Sequence, residues 1–175
     1  MKRAAFLDRD GVINKKAPDE GYILRPEDLE ILPRVADAIS RLKQAGFLVV
    51  VVTNQRCVAK GLLTIDRLRE IHNHMQIELA AAGARIDAIY YCPHGSDMLC
   101  ECRKPAPGML REASTELNID LQQSWMIGDT ISDIAAGKSA GCRTILITPT
   151  DENPLRADAT ADSLFSAAEH ILSTA

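Results

Sequence analysis

The stretch Ala4-Ala5-Phe6-Leu7-Asp8-Arg9-Asp10-Gly11 decides the fold. Its apolar run lacks the polar alternation of a half-solvated strand. It describes a strand buried on both faces, as in a parallel sheet covered by helices. Asp8 and Asp10 then emerge at its carboxyl end, the edge at which open α/β sheets bind their ligands. Gly11 lets the chain turn sharply beside a bound anion. Taken alone, D-x-D-G also describes an ordinary acidic turn. Set at that edge, the pair has what phosphoryl transfer requires: Asp8 to attack phosphorus and Asp10 to handle the proton of the leaving group.

Outward from this strand, strand-like runs alternate with helix-period segments. The pattern predicts an α/β fold, a three-layer doubly wound parallel sheet with helices on both faces. Val35, Ala38, Ile39 and Leu42 recur at helical spacing, and Gly46 ends that helix. Residues 47–52 read as a second central strand, closing on Thr53-Asn54-Gln55. Thr64 caps a helix with the apolar stripe Leu68, Ile71, Met75 and Leu79, stopped by Gly83. A third strand is expected over 86–91, followed by a Cys-rich loop and a helix over 107–117. A fourth strand over 124–127 ends at Gly128-Asp129; a helix over 131–140, a fifth strand over 144–147 and a helix over 163–172 complete the chain. No repeat, low-complexity run or linker divides the 175 residues, so a single domain, 1–175, is expected.

With 46% hydrophobic and 25% charged residues the composition is that of a globular protein, and a net charge of -4 gives no general attraction to nucleic acid or to an anionic membrane surface. No run approaches the ~20 apolar residues of a membrane span. Met1-Lys2-Arg3 leads into a strand, not into a signal-peptide core. A cytoplasmic protein is expected, a monomer in preference to an obligate oligomer. Five cysteines are an odd number, and four of the ligand-type residues cluster as Cys92-Pro93-His94 and Cys100-Glu101-Cys102. Two short arms carrying Cys92, His94, Cys100 and Cys102 suit a tetrahedral Zn²⁺ site with no open position, hence a structural one. Cys57 and Cys142 have no such partners and read as ordinary core or loop residues.

Several predicted strands end in residues that phosphate chemistry uses: Asp8 and Asp10, then Thr53, then Asp129 with Asp133. Parallel strands bring these ends to one edge, making neighbours of residues about 120 positions apart. Clustered carboxylates repel one another unless a divalent cation sits among them, and Mg²⁺ suits oxygen ligands beside a phosphate. Lys104, directly after the Cys-rich loop, adds positive charge. The Thr53 hydroxyl is a further candidate to hold the phosphoryl group.

Four segments in this order, Phe6 to Gly11, Val52 to Gln55, Arg103-Lys104-Pro105 and Gly128 to Asp133, resemble the motifs of the haloacid dehalogenase superfamily of aspartate-nucleophile phosphatases. The resemblance spans nearly the whole chain. It implies a Rossmann-like core and a two-step reaction through an aspartyl phosphate on Asp8, with Asp10 as acid and then base. It further implies Mg²⁺ held by Asp8, the Asp10 carbonyl oxygen and Asp129, with Asp133 orienting them. The zinc loop narrows the resemblance to a capless branch that includes phosphatases of heptose bisphosphates and of histidinol phosphate. The expected substrate is a small phosphorylated sugar, D-glycero-D-manno-heptose 1,7-bisphosphate losing its 7-phosphate, with histidinol phosphate as the alternative. Without a cap, segments 14–26, 56–61 and 95–103 would grip it. Asn54, Gln55, Arg56, Lys60 and Arg103 are the predicted contacts. A zinc module without catalysis would lack part of the set Asp8, Asp10, Thr53, Lys104 and Asp129, and a receiver domain would need no zinc loop.

Overall fold

β1 (Arg3–Leu7) is hydrogen-bonded on both sides, to β2 (Phe47–Asn54) and to β4 (Trp125–Gly128), so Phe6 lies between Val50 and Met126. The computed structural model describes residues 1–19, 21–150, 152–154 and 156–174. Beyond β2 lies β3 (Ala88–Cys92), and beyond β4 lie β5 (Arg143–Ile147) and β6 (Ala159–Ala161). The order β3-β2-β1-β4-β5-β6 is parallel throughout. The chain reverses its direction of travel across the sheet between β1 and β4, which makes their carboxyl ends a topological switch point.

The pleat of β1 divides the core in two. Ala5 and Leu7 point to one face, with Val49, Val51 and Ile127, beneath α1 (Val35–Gln44), α2 (Ile65–Ala81) and α5 (Leu164–Thr174). Ala4 and Phe6 point to the other, with Val50, Val52 and Met126, beneath α3 (Gly108–Leu117) and α4 (Ile131–Ala140). Residues buried on alternate faces at period two explain the continuous apolar runs, and three layers follow directly.

Two departures from the sequence reading matter. The third strand begins at Ala88 and runs to Cys92 because the Asp87 carboxylate takes the Val49 backbone N–H at 2.7 Å, turning residue 87 into a bracket at the foot of the strand. Cys92 therefore pairs with Asn54 and starts the Cys-rich loop from the sheet itself. The sixth strand, Ala-Thr-Ala, has too few residues and too little β-branched character to be read in advance. Among the described residues the β1–α1 connection contains only one short 3-10 turn, Pro26–Asp28, and the β2–α2 connection contains no helix or strand. No described helix is long and apolar enough to cross a membrane.

Candidate active site and metal centre

The carboxyl ends of β1, β2 and β4 open into a cleft of about 410 Å³. At its floor the buried ammonium of Lys104 donates to Asp8 Oδ1 at 2.8 Å and to the Val52 carbonyl at 2.7 Å, and lies 2.7 Å from Asp133 Oδ1. Burial works against its charge, yet Asp8 and Asp133 outweigh it and hold the lysine above its ordinary pKa. Burial pushes Asp8 up to about 7, with Asp133 and Asp10 adding to the rise and Lys104 opposing it. Asp8 thus depends on nearby cations for its ionised form.

Lys104 is aimed by its backbone. Its N–H donates to Asn54 Oδ1 and its carbonyl accepts from Asn54 Nδ2, both at 3.0 Å. Asn54, a predicted substrate contact, lines the cleft while both ends of its amide clamp the Lys104 segment. Gln55 is tied down similarly. It lines the cleft, but is 2% exposed, and its Nε2 donates to Asp10 Oδ2 at 3.1 Å and to Thr53 Oγ1 at 2.9 Å. With its oxygen accepting from Gln55, the Thr53 hydroxyl keeps its proton for another acceptor.

Asp10 lies at the cleft with its carboxylate clasped from the side. It accepts from Arg9 Nη2 at 3.0 Å on each oxygen and from Asn14 Nδ2 at 2.9 Å. Burial works against its charge, but Arg9, Asn14 and Gln55 together hold it below the usual carboxylate value.

Asp8, Asp129 and Asp133 each offer an oxygen within 4.8 Å of the others. Asp133 Oδ2 accepts from the backbone N–H of Asp129 at 3.2 Å and of Thr130 at 3.0 Å, and from the Thr130 hydroxyl at 2.7 Å. These bonds form a capping box that fixes the backbone at the start of α4. Asp129 Oδ2 meets Lys16 Nζ at 2.5 Å, whereas its buried Oδ1 has no hydrogen-bond partner among the described residues. An unpartnered carboxylate oxygen beside a second carboxylate is a donor set that suits a hard divalent cation. Gly11 is required here: its φ is +93°, and an added Cβ would stand 2.1 Å from Asp129 Oδ2.

The Cys-rich loop returns against the end of β3. Cys92 Sγ lies 3.2 Å from Cys102 Sγ and 3.8 Å from Cys100 Sγ, and His94 Nδ1 lies 3.2 Å from Cys102 Sγ and 3.5 Å from Cys92 Sγ. A tetrahedral ion with bonds of about 2.3 Å to sulfur separates its ligands by about 3.5 to 3.8 Å, so these four groups surround a site of zinc dimensions. All five cysteines are free thiols, and Cys57 and Cys142 are buried in the core as expected. Arg103 Nη1 donates to the His94 carbonyl at 3.3 Å, tying the arginine to the loop.

Arg56 and Arg103 line the cleft, and Lys60 stands beside its lining residue Tyr22. The Lys60 ammonium sits over the ring of Tyr22, 5.3 Å from the centroid, while Arg56 Nε donates to the Tyr22 hydroxyl at 2.6 Å. Sequence reading placed Lys16 and Tyr22 in a gripping segment, 14–26, without singling them out, and it missed the lining residues Thr130 and Ser132 and Arg9 behind them. Lys16 and Tyr22 fall in the polar segment after the first strand, where no periodicity says which side chain turns inward. Of the acidic residues in that segment, Glu20 lies outside the described residues.

The HAD-hydrolase-like family model matches residues 101–167. The D-glycero-beta-D-manno-heptose-1,7-bisphosphate 7-phosphatase of Pasteurella multocida is 40% identical over 156 residues, covering 86% of this chain and 83% of its own. That of Yersinia pestis is 40% identical over 165 residues, covering 90% and 86%. Among solved structures, the D,D-heptose 1,7-bisphosphate phosphatase of B. bronchiseptica, complexed with magnesium and phosphate, superposes with a TM-score of 0.89 at 36% identity, over 99% of both chains. With the D-x-D edge, the buried lysine and the match to these relatives along most of its length, the chain belongs to the haloacid dehalogenase-like hydrolases, in the family of the heptose-bisphosphate phosphatases.

Proposed function

We propose that residues 1–175 form a single phosphatase domain that removes the 7-phosphate of D-glycero-D-manno-heptose 1,7-bisphosphate, with the β anomer as its substrate. The observation that carries the reading is Lys104 at 2.8 Å from Asp8 on the floor of an open cleft, in a chain 40% identical to phosphatases of this sugar. Asp8 attacks phosphorus, the bond from phosphorus to the sugar oxygen breaks, and Asp10, which has to enter the reacting complex protonated against the pull of Arg9, gives that oxygen its proton. Water, losing its proton to Asp10, then displaces phosphate from Asp8. Lys104 and the Thr53 hydroxyl balance the charge of the transferring group. Asp8, Asp129 and the Asp10 carbonyl would hold Mg²⁺, which when bound neutralises part of the charge on nucleophile and phosphate. Zinc at Cys92, His94, Cys100 and Cys102 would hold the loop that delivers Arg103 and Lys104. Thiolate ligands suit a reducing, cytoplasmic setting, and one chain supplies every proposed group, so a monomer suffices.

A sugar bisphosphate presents a second phosphate some distance from the reacting one. Arg103 can bind such an anion through two parallel N–H donors, and Arg56 flanks the cleft with it. Arg103→Ala is expected to lower kcat/KM for the bisphosphate by ~10- to 10³-fold while sparing a small monophosphate, measured by phosphate release. Equal losses on both substrates would assign Arg103 to the loop's fold or to the reacting phosphate and remove the bisphosphate reading's support.

A further inference from the structure

Arg9 stands between the two acidic residues of the first motif, and it is fully buried. A guanidinium keeps its charge at any physiological pH, so burying it demands acceptors for a rigid fork of donors. Asp10 answers one side, with Nη2 at 3.0 Å from each carboxylate oxygen and Nε at 3.3 Å from Oδ1. On the other side, Arg9 Nη1 lies 3.2 Å from His72 Nε2. Arginine cannot accept a hydrogen bond, so His72 must be the neutral ring, bare at Nε2 and protonated at Nδ1. Burial first, then the charge of Arg9, pushes the His72 pKa down to about 3, in keeping with that form.

His72 lies on the buried face of α2 with Leu68, Ile71 and Met75, 5% exposed, its ring tilted against Tyr91 at 5.9 Å between centroids. For packing alone, another aliphatic residue would serve this stripe without a polar ring to satisfy. What an imidazole adds is an acceptor for the outer arm of Arg9. Were that acceptor lost, Nη1 of the fully buried arginine would lose its side-chain partner, and the fork that sets the plane of the Asp10 carboxylate would be free to turn.

We propose that His72 is a positioning residue for Asp10, acting through Arg9: α2 fixes the imidazole, the imidazole fixes the guanidinium, and the guanidinium fixes the carboxylate at the cleft. The inference rests on the reading of Asp10 as the carrier of the leaving group's proton. A group that only positions that proton matters most for a leaving group that needs one. Sugar alkoxides do; 4-nitrophenolate leaves without it.

The experiment compares kcat/KM, which reports the chemistry up to departure of the leaving group, for a sugar phosphate and for 4-nitrophenyl phosphate. His72→Leu is expected to lower the sugar-phosphate value at least ~10-fold more than the aryl value. His72→Gln, whose amide oxygen can accept from Arg9, is expected to restore most of that ratio. Asp10→Asn is the reference and should show the same leaving-group dependence with larger amplitude. If Asp10→Asn slows both substrates alike, the reading of Asp10 itself is wrong. If Asp10→Asn discriminates and folded His72→Leu slows both substrates equally, or neither, His72 is only a packing residue and the inference fails. Should His72→Leu not fold, His72→Asn, too short to reach Nη1, replaces it: a selective loss on the sugar phosphate supports the inference, and an equal loss on both substrates overturns it.

Discussion

Asp8 is caught between burial, which opposes its charge, and Lys104, which supports it at 2.8 Å. The ammonium has two further partners, the Val52 carbonyl and Asp133, so removing the charge of Asp8 does not leave it stranded. Asp8→Asn is therefore expected to keep the fold and the zinc content while phosphate release falls to less than a few percent of wild type, because an amide of the same shape is no nucleophile. Circular dichroism, metal analysis and a phosphate assay on one preparation check this; substantial residual turnover would exclude the covalent route. Asp8, Asp10, Lys104 and Asp129 were legible from the sequence because each follows a recognisable strand or motif. The hydrogen bonds of Asn54 to Lys104 and of Gln55 to Asp10 were not, since these partners lie 50 and 45 residues away and only the fold brings them into reach.

At the scale of elements, the end of β3 and the Cys-rich loop form one device. Cys92 belongs to the strand, and Gln55 donates its backbone N–H to the Cys92 carbonyl at 2.8 Å, so the Cys/His cluster is sewn to the end of β2. From Cys102 the chain reaches Arg103 and Lys104 in two steps. An ion held by four protein ligands stabilises the arrangement outright and leaves no open position for chemistry. Elemental analysis is expected to give about one zinc per chain, and stripping the ion should lower the melting temperature by several degrees at the least. Activity should then fall because Lys104 loses its anchorage, and should return with zinc and not with added Mg²⁺ alone. Full activity and unchanged melting after zinc removal would deny the loop its proposed role. The ligand spacing was readable in advance because it is local; the register that carries Cys92 into the sheet was not, because Asp87 sets it through a bond to Val49.

Across the whole molecule, parallel topology converts sequence distance into proximity, and most of the fold was legible for that reason: continuous apolar runs marked the central strands, and glycines marked the helix ends. The role of His72 was not legible, although it sits one turn from Leu68 and Met75 on the apolar stripe of α2, since a histidine on such a face gives no sign of the buried arginine it must serve. That pairing ties α2 to the first motif and makes the stability of the entire chain depend on pH. Unfolded, the imidazole takes up a proton near pH 6.5; folded, it refuses one until about pH 3. The unfolded chain therefore binds more protons over that interval, and stability falls as the pH falls through it. By pH 5.5 the loss from this one residue amounts to about 1 kcal/mol relative to pH 7.5. His72→Gln cannot titrate and keeps an acceptor for Arg9. Its unfolding free energy, from denaturant titrations at the two pH values with zinc present, is expected to drop by about 1 kcal/mol less than that of the wild type. Parallel losses in the two proteins would mean that His72 is protonated in the folded chain, which would break its bond to Arg9 as well.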